Sequence, residues 1–236
     1  MTQTPYPVMV RSTVWLTLVA LAACAGTGGS SPAAGPGPQS EAFPEGVLRA
    51  YAWQCTDGQE FLMRNLLRER AITLGLQDGE HRLEQTISAS GVRYADAGEN
   101  MVFWTKGDTA TLERAGSAAV RCQERRAESL REDARLRGVI YRALGNEPGW
   151  TLEIGPQTRL DWVTNYGAER HVFVESSAVV TPDGISYTAT QDSNSIKVTI
   201  RAERCVDDGD VAYDYTALVE FRGTTLRGCA SKLTAR

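Results

Sequence analysis

Between Val47 and Gln123 the apolar residues fall into short runs: Arg49–Trp53, Phe61–Asn65, Ala71–Leu76, Met101–Trp104 and Thr109–Leu112. Turn signals separate them, among them Asp57-Gly58 and Asp78-Gly79, where glycine supplies the positive φ that tight hairpin turns require. The pattern predicts antiparallel hairpins in a small barrel or a sandwich, and periodicity alone leaves both open. The stretch QERRAESLREDARLRG from Gln123 to Gly138 has no β-branched residue and alternates in charge, with Asp133/Arg137 and Glu128/Arg131 at helical spacing. It predicts a short, solvated helix stopped by Gly138. Alternation then returns in Trp150–Ile154, Leu160–Val163, His171–Val174, Ile185–Thr188, Ile196–Ile200 and Tyr213–Phe221, as expected of an antiparallel sheet with one buried face. The class is all-β, two antiparallel units joined by a short charged helix.

The N-terminal end has another character. Residues 1–23 carry Arg11 and then the apolar run Val14–Ala23, too short and too rich in small residues to span a bilayer stably, so they read as a signal peptide. Leu21-Ala22-Ala23-Cys24 resembles a bacterial lipobox, which implies cleavage before Cys24 and acylation of that cysteine with a fatty acid such as palmitate. No aspartate follows Cys24, and the expectation is an outer-membrane anchor facing the periplasm. Residues 24–46 are dominated by Gly, Ser, Ala and Pro and form a flexible tether. The domains expected beyond it are 47–123, a helical linker at 124–138, and a second β domain at 139–236.

Five cysteines minus the lipidated one leave four, an even number in an oxidising compartment. Three pairings are possible; the simplest is local, Cys55 with Cys122 and Cys205 with Cys229, each bridge stabilising its domain by about 2 to 4 kcal/mol. The formal charge of −4 includes no basic block, which argues against nucleic-acid binding. Only His81 and His171 are present, with no CxxC and no HExxH, so neither a zinc site nor a histidine-based hydrolase has the material it needs. Asp207-Asp208-Gly209-Asp210 lacks the alternating ligands and distal glutamate of a calcium loop and reads as an acidic hairpin turn. No catalytic set emerges; the chain reads as a non-enzyme that requires neither metal nor cofactor.

Two motifs remain. Ser88-Ala-Ser-Gly-Val-Arg-Tyr94 joins a small-residue turn to an aromatic, and Phe103-Trp-Thr-Lys-Gly107 places a lysine after two aromatics, both between Cys55 and Cys122. With Tyr51 they resemble the MliC/PliC family, lipoprotein or periplasmic inhibitors of c-type lysozyme, over residues 47–123. The family's SGxxY falls on Ser90, Gly91 and Tyr94, and its FWxKG on Phe103, Trp104, Lys106 and Gly107. The resemblance implies closure of the first unit into a small β-barrel, c-type lysozyme as partner, and insertion of Ser90 and Lys106 into that enzyme's cleft. Gly145-Asn-Glu-Pro-Gly-Trp150 and Arg227-Gly-Cys-Ala230 look like motifs of a domain that recurs in envelope lipoproteins, without an activity to carry over.

The residue chemistry suits that implication. Lysozyme cleaves glycan with two carboxyl groups, one protonated and one ionised. The ammonium of Lys106 can pair with the ionised one, and the Ser90 hydroxyl can donate or accept toward either form. Tyr94 and Trp104 would stiffen the loops or add contact area. Phe103 and Trp104, adjacent on a strand, cannot both face its core. The loop 95–100 is longer than is usual for the family. It keeps a second reading open, a non-catalytic envelope module that binds another protein or a peptidoglycan fragment.

Overall fold

The computed structural model describes residues 47–233; the expected signal peptide, Cys24 and the tether lie outside the described residues. The first eight strands are β1 (Ala50–Cys55), β2 (Glu60–Leu66), β3 (Ala71–Leu76), β4 (Gly79–Thr86), β5 (Val92–Ala95), β6 (Met101–Lys106), β7 (Thr109–Arg114) and β8 (Val120–Glu124). Each pairs antiparallel with the next, and β8 returns to β1 through Trp53↔Glu124, Gln54↔Gln123 and Cys55↔Cys122, closing a barrel. Closure removes the exposed edges that a sandwich would leave. Alternation sends Trp53, Phe61, Ile72, Leu74, Leu83 and Phe103 inward. Phe103 sits edge-on to Trp53 and Phe61, with ring centroids 5.3 and 5.7 Å away. The Cys55–Cys122 disulfide ties the first strand to the last.

Helix α1 (Arg126–Leu136) follows, and here the expectation of a solvated helix is corrected: Ser129, Asp133 and Ala134 are buried. The cause lies in β1. Its pairing with β8 covers only Trp53–Cys55, so the first half of β1 lacks a strand on that side. The helix takes its place with side-chain acceptors: Ser129 Oγ accepts from Ala52 N at 2.9 Å and Asp133 Oδ1 from Arg49 N at 2.8 Å. Buried backbone donors thereby keep partners, which is why two polar side chains face inward. Gly138, at φ +77°, ends the helix. Its N–H donates to Arg135 O and that of Val139 to Ala134 O, both at 3.0 Å, the double bond of a glycine-stopped helix, and Val139 packs with Ala134 and Leu233. Of the two expected helical ion pairs, Asp133–Arg137 forms at 2.7 Å, whereas Glu128 pairs with Arg125 rather than with Arg131. Arg137 continues to Glu153; burial works against its charge, but the Glu153 and Asp133 carboxylates raise it above an ordinary arginine.

The remaining strands are β9 (Tyr141–Asn146), β10 (Gly149–Ile154), β11 (Leu160–Thr164), β12 (Glu169–Phe173), β13 (Ser177–Thr181), β14 (Gly184–Gln191), β15 (Asn194–Arg201), β16 (Cys205–Val206), β17 (Ala212–Tyr213), β18 (Tyr215–Phe221) and β19 (Thr224–Lys232). Nine of them make one antiparallel sheet in the order β12-β11-β10-β9-β19-β18-β15-β14-β13, and β16 with β17 forms a separate ribbon. The two edges, β12 and β13, are consecutive in sequence. Laid flat, they would stand about 38 Å apart at the usual strand spacing, but the connection from Phe173 to Ser177 reaches only about 14 Å. The sheet must therefore curl, and its inner face encloses a core of Trp150, Leu152, Ile154, Leu160, Trp162 and Val198. The Cys205–Cys229 disulfide joins β16 to β19.

The two motifs of this sheet have a packing explanation. A Cβ on Gly145 would lie 2.2 Å from Trp150 Nε1, and one on Gly228 would lie 2.6 Å from the same indole and 2.0 Å from Leu144 O. Gly145 and Gly228 thus make the slot in which Trp150 is buried. Asp207 likewise serves its own turn, accepting from Gly209 N and Val211 N at 2.9 Å and from the Tyr213 hydroxyl at 3.0 Å. The Val211 backbone bond and the Tyr213 hydroxyl hold its carboxyl below the usual range.

Candidate functional site

The two motifs meet at one end of the β5–β6 pair. Register sets Val92 opposite Thr105, Arg93 opposite Trp104 and Tyr94 opposite Phe103, so the turn preceding β5 lies beside the end of β6. Gly91 allows this approach: its φ is +66°, and a Cβ there would stand 2.2 Å from Thr105 O. No L-residue fits without moving the strand. Trp104 faces outward, 40% exposed, while its neighbour Phe103 is fully buried. The indole Nε1 donates to Ser90 O at 2.8 Å, and the Ser88 hydroxyl donates to Gly91 O at 3.0 Å. The Ser90 turn is thus pinned from both sides, with the exposed serine hydroxyl free of these bonds.

Lys106 ends β6 and pairs with Thr109 across a two-residue turn. Gly107 supplies the positive φ, +65°, at the first turn position, and the Thr109 hydroxyl donates to Lys106 O at 2.9 Å. Ser90, Trp104 and Lys106 all line one groove of about 810 Å³. Tyr94 stands apart on the inner face of β5, half-buried against the barrel core; desolvation, with a smaller contribution from Tyr51, pushes its phenol above the ordinary tyrosine value.

The groove contains a residue that the motifs do not announce. Trp104 pairs with Thr111 and Thr111 with Arg121, so register carries the row from β6 across β7 to β8 and sets Arg121 on the same wall. Gln54, Gln123 and the Cys55–Cys122 bridge complete that side. Two cations therefore line the groove, with no aspartate or glutamate among its lining residues, in a chain of net charge −4. Among the described residues neither Lys106 nor Arg121 has an ion-pair partner. The only sequence signal for Arg121 was its place beside Cys122, one residue out of phase with a buried position on a strand.

The long loop after β5 lies at the opposite end of the hairpin from Ser90 and Lys106. Asp96 Oδ1 accepts from Asn100 N at 2.7 Å, and Glu99, at φ +51°, pairs with Arg93 at 2.9 Å. The loop therefore lies away from the groove. The two histidines also fall elsewhere: His81 pairs with Asp78 at 3.0 Å, and His171 lies against Trp162 and Phe221 in the second sheet. Among the described residues no group of three or more His, Cys, Asp or Glu side chains is placed to hold a metal ion.

No curated protein and no solved structure matches the chain. Residues 53–121 match the family model of MliC, the membrane-bound lysozyme-inhibitor of c-type lysozyme. That span runs from β1 into β8 and takes in Ser90, Gly91, Tyr94, Trp104, Lys106 and Gly107, while α1 and the second sheet lie beyond it. Over those residues the barrel is thus similar to the MliC family, and in this chain a second β domain follows it.

Proposed function

We propose that this protein inhibits c-type lysozyme by presenting Ser90 and Lys106 to the enzyme's catalytic carboxyls, while an acylated Cys24 holds it at the periplasmic face of the outer membrane. The observation that carries the reading is the groove itself, which sets Lys106 and Arg121 together without an internal carboxylate. Two cations on the lining of one groove favour an anionic occupant, and the paired carboxyls of a glycosidase cleft have the complementary sign. Ser90, pinned through its backbone, brings a hydroxyl that can meet either protonation state. Holding the turn in place before binding lowers the entropy that association must overcome. Inhibition is reversible occlusion, and this chain supplies no catalytic step.

The test is residual activity of a c-type lysozyme on bacterial cell walls, titrated with soluble protein beginning after Cys24 and, in parallel, with the Ser90→Ala/Lys106→Ala double variant. Stoichiometric loss of activity with the first, absent with the second, is the expected result. Equal inhibition by both would remove the insertion mechanism. Membrane attachment is checked by fractionating cells that carry the full chain or its Cys24→Ser variant; attachment independent of Cys24 would overturn the anchor.

A further inference from the structure

The turn that holds Ser90 carries a second side chain that this fold does not use. Ile87 is 98% exposed, the most exposed of the large hydrophobic residues among those described. It follows β4 directly, after the last β4–β5 pair, Thr86↔Arg93, and precedes Ser88, whose hydroxyl closes the turn onto Gly91. Nearly full exposure means that the isoleucine gains almost nothing from folding and that a polar residue would serve the free protein as well. Single exposed apolar residues are common on protein surfaces and need no explanation by themselves. This one stands on a constrained turn, three residues from a side chain of the proposed site.

We infer that Ile87 is an apolar anchor of the interface with c-type lysozyme, seated against the wall of the cleft beside the carboxyls that Ser90 and Lys106 address; the inference rests on the function proposed above. The distances permit it. Three peptide steps place the Ile87 and Ser90 Cα atoms within about 11 Å of each other. A standard interface covers about 800 Å² on each partner, a disc of roughly 16 Å radius. If Ser90 enters the cleft, Ile87 falls under the footprint and loses its solvent. The roles then divide by chemistry. Ser90 and Lys106 meet groups that every lysozyme needs for its reaction, whereas Ile87 meets a wall that the reaction leaves free to vary. It is therefore a specificity-determining contact.

Inhibition constants and dissociation rates for the wild type, Ile87→Ser, Ile87→Val and Lys106→Ala, at low and high salt, test this with the soluble protein beginning after Cys24. The expected result for Ile87→Ser is an inhibition constant raised about 10- to 100-fold, carried by faster dissociation. Ile87→Val should keep most of the affinity. The Ile87→Ser loss should be the same at low and high salt, as expected of an apolar contact. An unchanged melting temperature is expected for Ile87→Ser, which separates a lost contact from a lost fold. Wild-type inhibition with Ile87→Ser equally potent overturns the anchor and leaves the proposed function standing. No inhibition by the wild type overturns both.

Discussion

The groove of the barrel and the curled sheet handle their charges in opposite ways, although the rest of the barrel pairs its charges too, as in Arg93–Glu99 and Arg114–Asp78. On the sheet, Arg170 pairs with Asp161 at 2.6 Å, Lys197 with Glu220 at 2.7 Å, and Arg137 reaches Glu153 from the helix at 2.5 Å. In the barrel groove, Lys106 and Arg121 stand together with no acid on the lining. The hydrophobic residues differ in the same sense. The sheet buries its tryptophans Trp150 and Trp162, whereas the barrel buries Trp53 and leaves Trp104 40% exposed above the Ser90 turn. Paired charges and buried tryptophans leave this part of the sheet little to offer a partner, although Tyr166 beside it is 75% exposed. Unmatched charge beside an exposed aromatic describes a surface that awaits a partner.

The largest test of this contrast is covalent. The bridges close loops of 67 residues in the barrel and 24 in the sheet. In the chain-entropy picture they restrict the unfolded state by about 4.4 and 3.4 kcal/mol respectively. Removing Cys55–Cys122 by double alanine substitution should therefore cost more in denaturant unfolding than removing Cys205–Cys229. The barrel bridge also lines the groove, so only its removal is expected to impair lysozyme inhibition. An equal effect of both on inhibition would mean that the two units do not divide the work.

Next in size is Lys106→Ala, expected to weaken inhibition by about 2 to 5 kcal/mol if its ammonium is buried against a carboxylate. The melting temperature should not move, because Lys106 is exposed at a turn. A loss of less than a few-fold would place Lys106 at the rim of the interface rather than in the cleft.

Paired glycine substitutions sharpen the contrast further. Gly91→Ala puts a Cβ 2.2 Å from Thr105 O at positive φ, and Gly228→Ala puts one 2.0 Å from Leu144 O. The positive-φ strain at Gly91 costs about 1 to 3 kcal/mol, whereas at Gly228 the cost is the steric overlap with Leu144 O and Trp150. Both variants should melt earlier, but only Gly91→Ala should also raise the inhibition constant, since it moves the Ser90 turn with Lys106 intact. Loss of inhibition in Gly228→Ala at temperatures where it is folded would tie the sheet to the site.

Much of this contrast was legible in the residues, and the exceptions have physical causes. Strands whose inner face is continuously apolar, such as Ala71–Leu76 and Ile196–Ile200, announce themselves. β4 does not: Leu83 is its single buried residue among charged neighbours. β13 is exposed on both faces and has no alternation to read. β9 and β19 are built partly from Ala143, Gly145, Gly228 and Ala230, the two glycines being required by the close approach of Trp150 and backbone, and small residues carry little periodic signal. The helix misled for a different reason. Ser129 and Asp133 look solvated by type and are buried because they accept N–H groups within and just before β1, a need that arises only once β8 proves too short. In the site, Ser90, Trp104 and Lys106 sit inside motifs, but Arg121 joins them only through strand register.

Alkaline pH separates the two units more gently. Burial raises the Tyr94 phenol in the barrel, and it raises Tyr141, Tyr187 and Tyr213 in the second unit. A phenol whose folded pKa lies above its unfolded value contributes stability that is present below the ordinary tyrosine value of about 10 and is lost as pH rises through the folded one. Hydrogen-exchange protection should therefore decline more steeply above that pH in the second unit, with three raised phenols, than in the barrel, with one. Tyr94→Phe should flatten the barrel's response alone.

The smallest expected effect concerns the long loop after β5. If its extra length governed how Ser90 and Lys106 are set apart, the barrel would be a remodelled module and its likeness to lysozyme inhibitors a relic. The geometry argues otherwise, because the β5–β6 register puts residues 96–100 at one end of the hairpin and the Ser90 turn at the other. Glu99 fastens the loop to Arg93, opposite Trp104 in the pair, so any influence would have to pass through that arginine. Exposed ion pairs of this kind contribute little in water and less in salt. Glu99→Gln should leave the inhibition constant within about a factor of two of the wild type at physiological salt. Should it instead shift inhibition as far as a change in the Ser90 turn does, the Arg93–Trp104 row would be a lever between the loop and the groove, and the barrel could no longer be treated as a rigid frame for two side chains.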